Sequence, residues 1–161
     1  MCDNAAHHAS FMAEAAKVSR EKMNAGFGGP FGAVIAKDGK IIGTGYNQVT
    51  SENDPTAHAE IVAIRDACRN LGTFDLSQAI IYTSCEPCPM CLSAIYWARL
   101  DQVFYANSRW DAANIGFDDA DIYDEVAKDI GDRRIPMIHL QDDEASLAFE
   151  EWEKKEDKVT Y

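Results

Sequence analysis

A chain of 161 residues can bury one sizeable core, and 47% hydrophobic with 26% charged content is ordinary globular composition. That excludes a largely disordered chain, and no apolar run approaches the roughly 18 residues of a membrane span. The formal net charge of −12 opposes binding to nucleic acid and anionic membranes through the overall field.

The charge is unevenly placed. Residues 1–110 hold 11 acidic and 9 basic side chains, and residues 111–161 hold 16 and 6. The acidic third reads first as a solvated surface. The N-terminus has no basic segment followed by an apolar one, so no signal peptide is expected and the protein is predicted to be cytoplasmic. Three of the five cysteines fall within 85–91, a poor disulfide framework and a plausible reduced metal cluster.

In chain order, Phe11, Met12, Ala15, Ala16, Val18 and Met23 predict an opening helix over 10–25, with Ser10 as N-cap. Cys2, His7 and His8 precede it, in a terminus expected to be mobile. Gly26-Phe27-Gly28-Gly29-Pro30 ends the helix. Two strands, 31–37 and 40–46, flank Asp38-Gly39, a strong two-residue hairpin signal. A polar linker, 48–53, leads to a second helix, with Asp54 as N-cap, Pro55 at its first position and Gly72 as its stop. A strand over 79–83, a helix over 88–98 and a strand over 102–106 follow. Then come a loop over 107–117, a helix over 118–128, a fifth strand over 135–140 and a last helix over 144–155. This order predicts an α/β domain with a mixed sheet covered by helices on both faces.

The centre of the chain is Ser84-Cys85-Glu86-Pro87-Cys88-Pro89-Met90-Cys91. Residues i and i+3 share a helical face, so Cys88 and Cys91 can address one object. The N-terminal end of a helix favours the thiolate, the form that binds metal. The other half of a site comes from Ala57-His58-Ala59-Glu60, opening the second helix. His58 with two thiolates makes three ligands, which with a water is the catalytic zinc pattern; a fourth ligand, Cys85, would make the site structural. Glu60 favours catalysis, because a carboxylate beside an activated water can take up its proton and deliver it elsewhere.

His-x-Glu followed by Pro-Cys-x-x-Cys is the signature of zinc nucleobase deaminases. Gly29 to Val34, Asn53 to Glu60, Tyr82 to Cys91, Ala94 to Arg99 and Gly116 to Asp119 together resemble the bacterial guanine deaminases of the cytidine deaminase superfamily. The resemblance spans nearly the whole chain. It implies a cytidine deaminase-like α/β/α sandwich with a mixed five-stranded sheet, formed by residues 1–161 as a single domain. It also implies one Zn2+ per subunit, held by His58, Cys88 and Cys91, with Glu60 as the proton carrier. Guanine and water would become xanthine and ammonia.

The same resemblance assigns substrate binding to Asn47, Phe31, Ala57, Trp97 and Asp119. Without it, Asn47 is a strand-end turn residue, Trp97 a core aromatic, and Asp118-Asp119 a helix cap. Asp119 suits guanine, whose N1–H and 2-amino group need an acceptor. Glu144 matches a carboxylate implicated in proton handling. The resemblance further implies a homodimer in which a segment of about 141–161 crosses over, bringing Tyr161 to the partner's site. The alternatives are a deaminase of guanosine, of an ammeline-like aminotriazine or of another purine. A tRNA adenosine deaminase would want a basic surface, and a zinc-stabilised binding module would have no use for Glu60.

Overall fold

The computed structural model describes residues 2–161, with side chains from Ala5 onward. The Cys2 side chain therefore lies outside the described residues. Contacts divide the chain into two compact units, Met1–Asp119 and Ala120–Tyr161.

The first unit is built on a mixed sheet of order β2-β1-β3-β4. β1 (Gly32–Lys37) and β2 (Lys40–Tyr46) form the antiparallel hairpin. Asp38 and Gly39 take φ of 51° and 74°, the left-handed pair that a tight hairpin turn requires. β3 (Ile80–Cys85) runs antiparallel to β1, and β4 (Gln102–Asn107) parallel to β3. Side chains alternate across the sheet. Ala33, Ile35 and Ile81 meet Ala59, Ala63 and Ala67 of α3 (Ala59–Leu71) and Ile95 of α4 (Pro89–Trp97). Val34, Ala36 and Tyr82 meet Ala15 of α1 (Cys2–Asn24) on the opposite face. Both faces are covered, as the sequence pattern predicts.

α3 lies unusually close to the hairpin. A methyl at Gly45 would stand 2.0 Å from the Ala59 carbonyl oxygen and 2.4 Å from the Ala63 nitrogen. At Gly43 it would stand 2.5 Å from the Ala63 oxygen. Glycine on the strand and alanine on the helix let the two backbones approach, and this places the start of α3.

Several boundaries differ from expectation. α1 begins two turns early, because the alanine-rich run before Ser10 contains no helix breaker. Ser10 is therefore not a cap, and its hydroxyl donates to the His7 carbonyl at 2.8 Å. His8, expected in a mobile terminus, is held in α1: its Nδ1 lies 2.7 Å from the buried Tyr82 hydroxyl, and its ring packs on Phe104. Asp54 does not cap α3 but holds a local turn by accepting from Thr56 N at 2.8 Å. A short α2 (Val49–Glu52) occupies the polar linker. The expected loop contains α5 (Arg109–Asn114), opened by a capping box between Ser108 and Asp111.

The second unit holds α6 (Ala120–Ala127), a 3-10 turn over Ile130–Asp132 and α7 (Asp143–Lys154). Arg134 fastens it, donating to Asp121 at 2.8 Å through its guanidinium and to Glu125 at 2.7 Å through its backbone. Asp142 caps α7 by accepting from Ala145 N at 3.1 Å. The predicted fifth strand over 135–140 does not form, so the sheet has four strands among the described residues. A strand exists only through a ladder with a neighbour, and Pro136 offers no N–H to one. Ile138 and Leu140 are left 87% and 88% exposed.

Gly45→Ala should destabilise the protein by about 3 kcal/mol through backbone overlap. Denaturant unfolding monitored by circular dichroism checks this. An unchanged midpoint would show that the helix can move away from the hairpin at little cost.

Candidate active site

Two helix N-termini meet at one point. His58 is the N-cap of α3 and Cys88 the N-cap of α4, both in extended backbone, and Pro89 occupies the first turn of α4. Neither side chain spends itself on capping its own helix, so both are free to face outward from the helix ends. Cys91 follows one turn into α4.

His58 Nδ1 lies 3.6 Å from Cys88 Sγ and 3.5 Å from Cys91 Sγ. The three donor atoms are all within 4.8 Å of one another. A tetrahedral zinc with bonds of about 2.0 Å to nitrogen and 2.3 Å to sulfur would space those atoms about 3.5 Å apart. The nitrogen–sulfur edges of the cluster match that spacing, and one imidazole with two thiols is a donor set that zinc favours. Among the described residues this is the group that meets the geometry.

The electrostatics separate the thiols. A hydrogen bond from Cys91, reinforced by His58, holds Cys88 down at about 4 despite burial. Cys91 is driven upward by sharing that proton with Cys88, by burial and by the nearby Glu60. His58 is raised by its hydrogen bond to Cys88. Cys85 donates to the Ser108 carbonyl at 3.6 Å, and burial pushes its thiol up to about 11. It stands on β3, before the helix whose face carries the other two, so it is outside the three-donor cluster.

Glu60 is buried in the first turn of α3. Burial raises its pKa, opposed by its own backbone N–H and by the Thr83 hydroxyl, which donates to Oε1 at 3.0 Å. A carboxyl shifted upward in this way is suited to proton traffic near neutral pH.

The first unit also holds other side chains singled out in the sequence. Asn47 ends the hairpin and is buried. Its Oδ1 accepts from Gly29 N and Val49 N, each at 3.3 Å. Two N–H groups converging on one oxygen fix the amide orientation and leave Nδ2 as the outward donor. Gly28 permits this approach, since a methyl there would lie 2.5 Å from Oδ1. Ala57 is buried one residue before His58, and its carbonyl accepts from Gln48 N at 2.9 Å. Phe31 packs edge-on against Phe117, with ring centres 4.9 Å apart. Asp119 is half-buried; burial and the charge of Cys88 raise its pKa, which places it within electrostatic reach of the cluster.

Trp97 ends α4, about 12 Å of helix beyond Pro89, and is 66% exposed. The helix thus carries it away from the thiols. Glu144, in the first turn of α7, and Tyr161 belong to the second unit and are exposed.

Sequence reasoning missed Thr83, Ser84, Glu86 and Phe117. Ser84 Oγ accepts from Gly32 N at 3.0 Å, and Glu86 accepts from Arg109 N at 3.0 Å, tying the cysteine segment to β1 and α5. No local pattern marks such partners, which lie far apart in sequence.

Residues 5–107 match the cytidine and deoxycytidylate deaminase zinc-binding region. The chain belongs to this deaminase family. It is 52% identical over 155 residues to the guanine deaminase of Bacillus subtilis (strain 168), covering 96% of this chain and 99% of that one. The solved structure of the Bacillus subtilis guanine deaminase superposes with a TM-score of 0.92 over 96% of this chain and 98% of that one. A guanine deaminase structure from Nitrosomonas europaea shares 33% identity and a TM-score of 0.65, covering 68% and 64% of the two chains. A tRNA-specific adenosine deaminase of Buchnera aphidicola subsp. Schizaphis graminum (strain Sg) is 44% identical over 82 residues, 51% of this chain and 54% of that one. The family's fold and its zinc-binding segment thus coincide with the architecture and donor cluster described above.

In metal-stripped protein at pH 7, Cys88 should be alkylated well before Cys85. The first thiol is held at about 4 and half-exposed, the second is pushed to about 11 and buried, and the thiolate is the reactive form. Peptide mass mapping after brief iodoacetamide treatment reads the order; equal labelling would contradict it.

Proposed function

We propose that this protein is a zinc-dependent guanine deaminase of purine catabolism: guanine and water give xanthine and ammonia. The observation that carries this is a buried carboxylate, Glu60, beside a three-donor cluster at two joined helix N-termini, in a chain 52% identical to a guanine deaminase over 96% of its length.

His58, Cys88 and Cys91 hold one zinc per subunit. Zinc, when bound, supplies a water acidified to about pKa 7 at the position that three ligands leave free. Glu60 takes up a proton and returns it to the purine ring and to the departing amine. Asn47 presents Nδ2 to an acceptor on the base, and Asp119 accepts from N1–H and the 2-amino group. Phe31 offers an aromatic face and Ala57 a small wall beside His58. Trp97, at the exposed end of α4, offers a second aromatic face for the base.

The active form is a homodimer of single-domain deaminase subunits in which the segment about 141–161 crosses to the partner. Support comes from the exposed apolar side chains of the second unit, Ile135, Ile138, Leu140 and Phe149 among them, since surfaces of this kind mark interaction sites. Glu144 acts as a second proton carrier, and Tyr161 of the partner subunit closes the pocket. The reduced cysteines suit a cytoplasmic enzyme, and no described helix is long and apolar enough to cross a membrane. The substrate is a free base rather than tRNA, in keeping with the net charge of −12.

Guanine should release ammonia and form xanthine, read by ultraviolet absorbance and ammonia detection; guanosine turnover without guanine turnover would replace this reading with the nucleoside one. Glu60→Gln should retain zinc by metal analysis while losing about 10³-fold in kcat, the scale of a proton-transfer catalyst. Deleting the residues after Lys155 should cripple turnover; unchanged kinetics would remove Tyr161 from the site.

A further inference from the structure

Glu60 carries the chemistry of this site, yet nothing covalent fixes which way its carboxylate faces. The last torsion of a glutamate joins sp³ to sp² carbon and is broad, with no staggered well to hold it. Inside the protein only a hydrogen bond can set that rotation. Besides its own backbone N–H and Cys91, the carboxylate meets a hydroxyl on the sheet. Thr83 sits on β3, paired with Ala33 on one side and Tyr105 on the other. It is 1% exposed. The pleat turns it to the same face as Ala33 and Ile81, the face that packs on Ala59 and Ala63 of α3. Its hydroxyl is thus a polar atom among small apolar side chains, and it meets Glu60 Oε1 at 3.0 Å, also buried.

The direction of this bond is decided by chemistry. The Thr83 hydroxyl donates and the Glu60 Oε1 accepts. A hydroxyl donating to a carboxylate is among the stronger protein hydrogen bonds.

We propose that Thr83 is a positioning residue for Glu60: its hydroxyl, held to Oε1 at 3.0 Å, fixes the rotation of the carboxylate. This rests on Glu60 being the proton carrier of the deaminase reaction. Val at position 83 would keep the shape and the strand propensity while removing the donor. Ser would keep the donor and lose only the methyl group.

The test compares zinc-loaded wild type, Thr83→Val, Thr83→Ala and Thr83→Ser. Zinc content should stay at the wild-type level in all four. Thr83→Val and Thr83→Ala should lose about 10- to 100-fold in kcat for guanine with KM within about twofold, part of the full general acid–base contribution. Thr83→Ser should recover to within about threefold of wild type. The infrared carboxylate band of Glu60, isolated by difference against Glu60→Gln, should shift in Thr83→Val and return in Thr83→Ser. Wild-type kcat in Thr83→Val would overturn the proposal, as would a Thr83→Ser defect equal to that of Thr83→Val, or a carboxylate band unmoved by Thr83→Val. Should Thr83→Val fail to fold, Thr83→Ala supplies the same comparison. If wild type turns over no guanine, the function proposed above falls, while the infrared band still decides whether Thr83 orients Glu60.

Discussion

The close approach of α3 to the β1–β2 hairpin is the constraint on which the site depends. Gly43 and Gly45 leave no side chain between strand and helix, and Ala59, Ala63 and Ala67 leave only methyl groups. The axis of α3 is thereby fixed against the sheet, and with it the positions of His58 at the helix start and Glu60 two residues on. β3, on the far side of β1 from β2, brings Cys88 and Cys91 to the same point through the start of α4. A larger residue at either glycine would move one half of the donor set relative to the other.

Helix N-termini are suited to this use because they carry unpaired N–H groups and partial positive charge. Here the N-cap positions are filled by a histidine and a cysteine, residues that do not cap their own helices. Local helix stability is thus given up to leave ligand atoms facing outward. Burial and hydrogen bonding then shift the titratable groups in opposite directions. Burial raises Glu60, Cys85 and Asp119, while hydrogen bonding within the cluster holds Cys88 low. A low-dielectric pocket containing one stabilised thiolate and one upward-shifted carboxyl is the environment in which a cation and a proton carrier can work side by side.

A ring of small polar contacts keeps these groups in register. Thr83 holds Glu60, the Gly28-Gly29 turn and Val49 hold Asn47, and Glu86 holds the start of α5. Phe31 against Phe117 joins the glycine loop to the segment that ends in Asp119. Asn47 and Phe31, both proposed to touch the substrate, are thus each supported by a partner distant in sequence. The second unit follows another logic. It is secured by its own ion pairs and caps, with Arg134 reaching Asp121 and Glu125, and keeps large apolar side chains in solvent.

The sequence by itself determined the features that rest on local chemistry. The Asp38-Gly39 turn, the Gly72 helix stop and the Pro89 helix start follow from backbone preferences of single residues. The pairing of His58 and Glu60 with Cys88 and Cys91 was legible because zinc chemistry allows few donor sets at such spacings. The α/β layering was legible because apolar periodicity changes between strands and helices. Tertiary structure alone decided the rest. His58 rather than Asp54 opens α3, because the helix can begin only where the glycine strand lets its backbone approach. The segment 135–140 carries a strand-like sequence but finds no ladder among the described residues. Trp97 is apolar enough for a core, yet α4 ends it in solvent. Thr83 became a partner of Glu60 only when β3 passed beneath α3, a contact between residues 23 apart that no local pattern records.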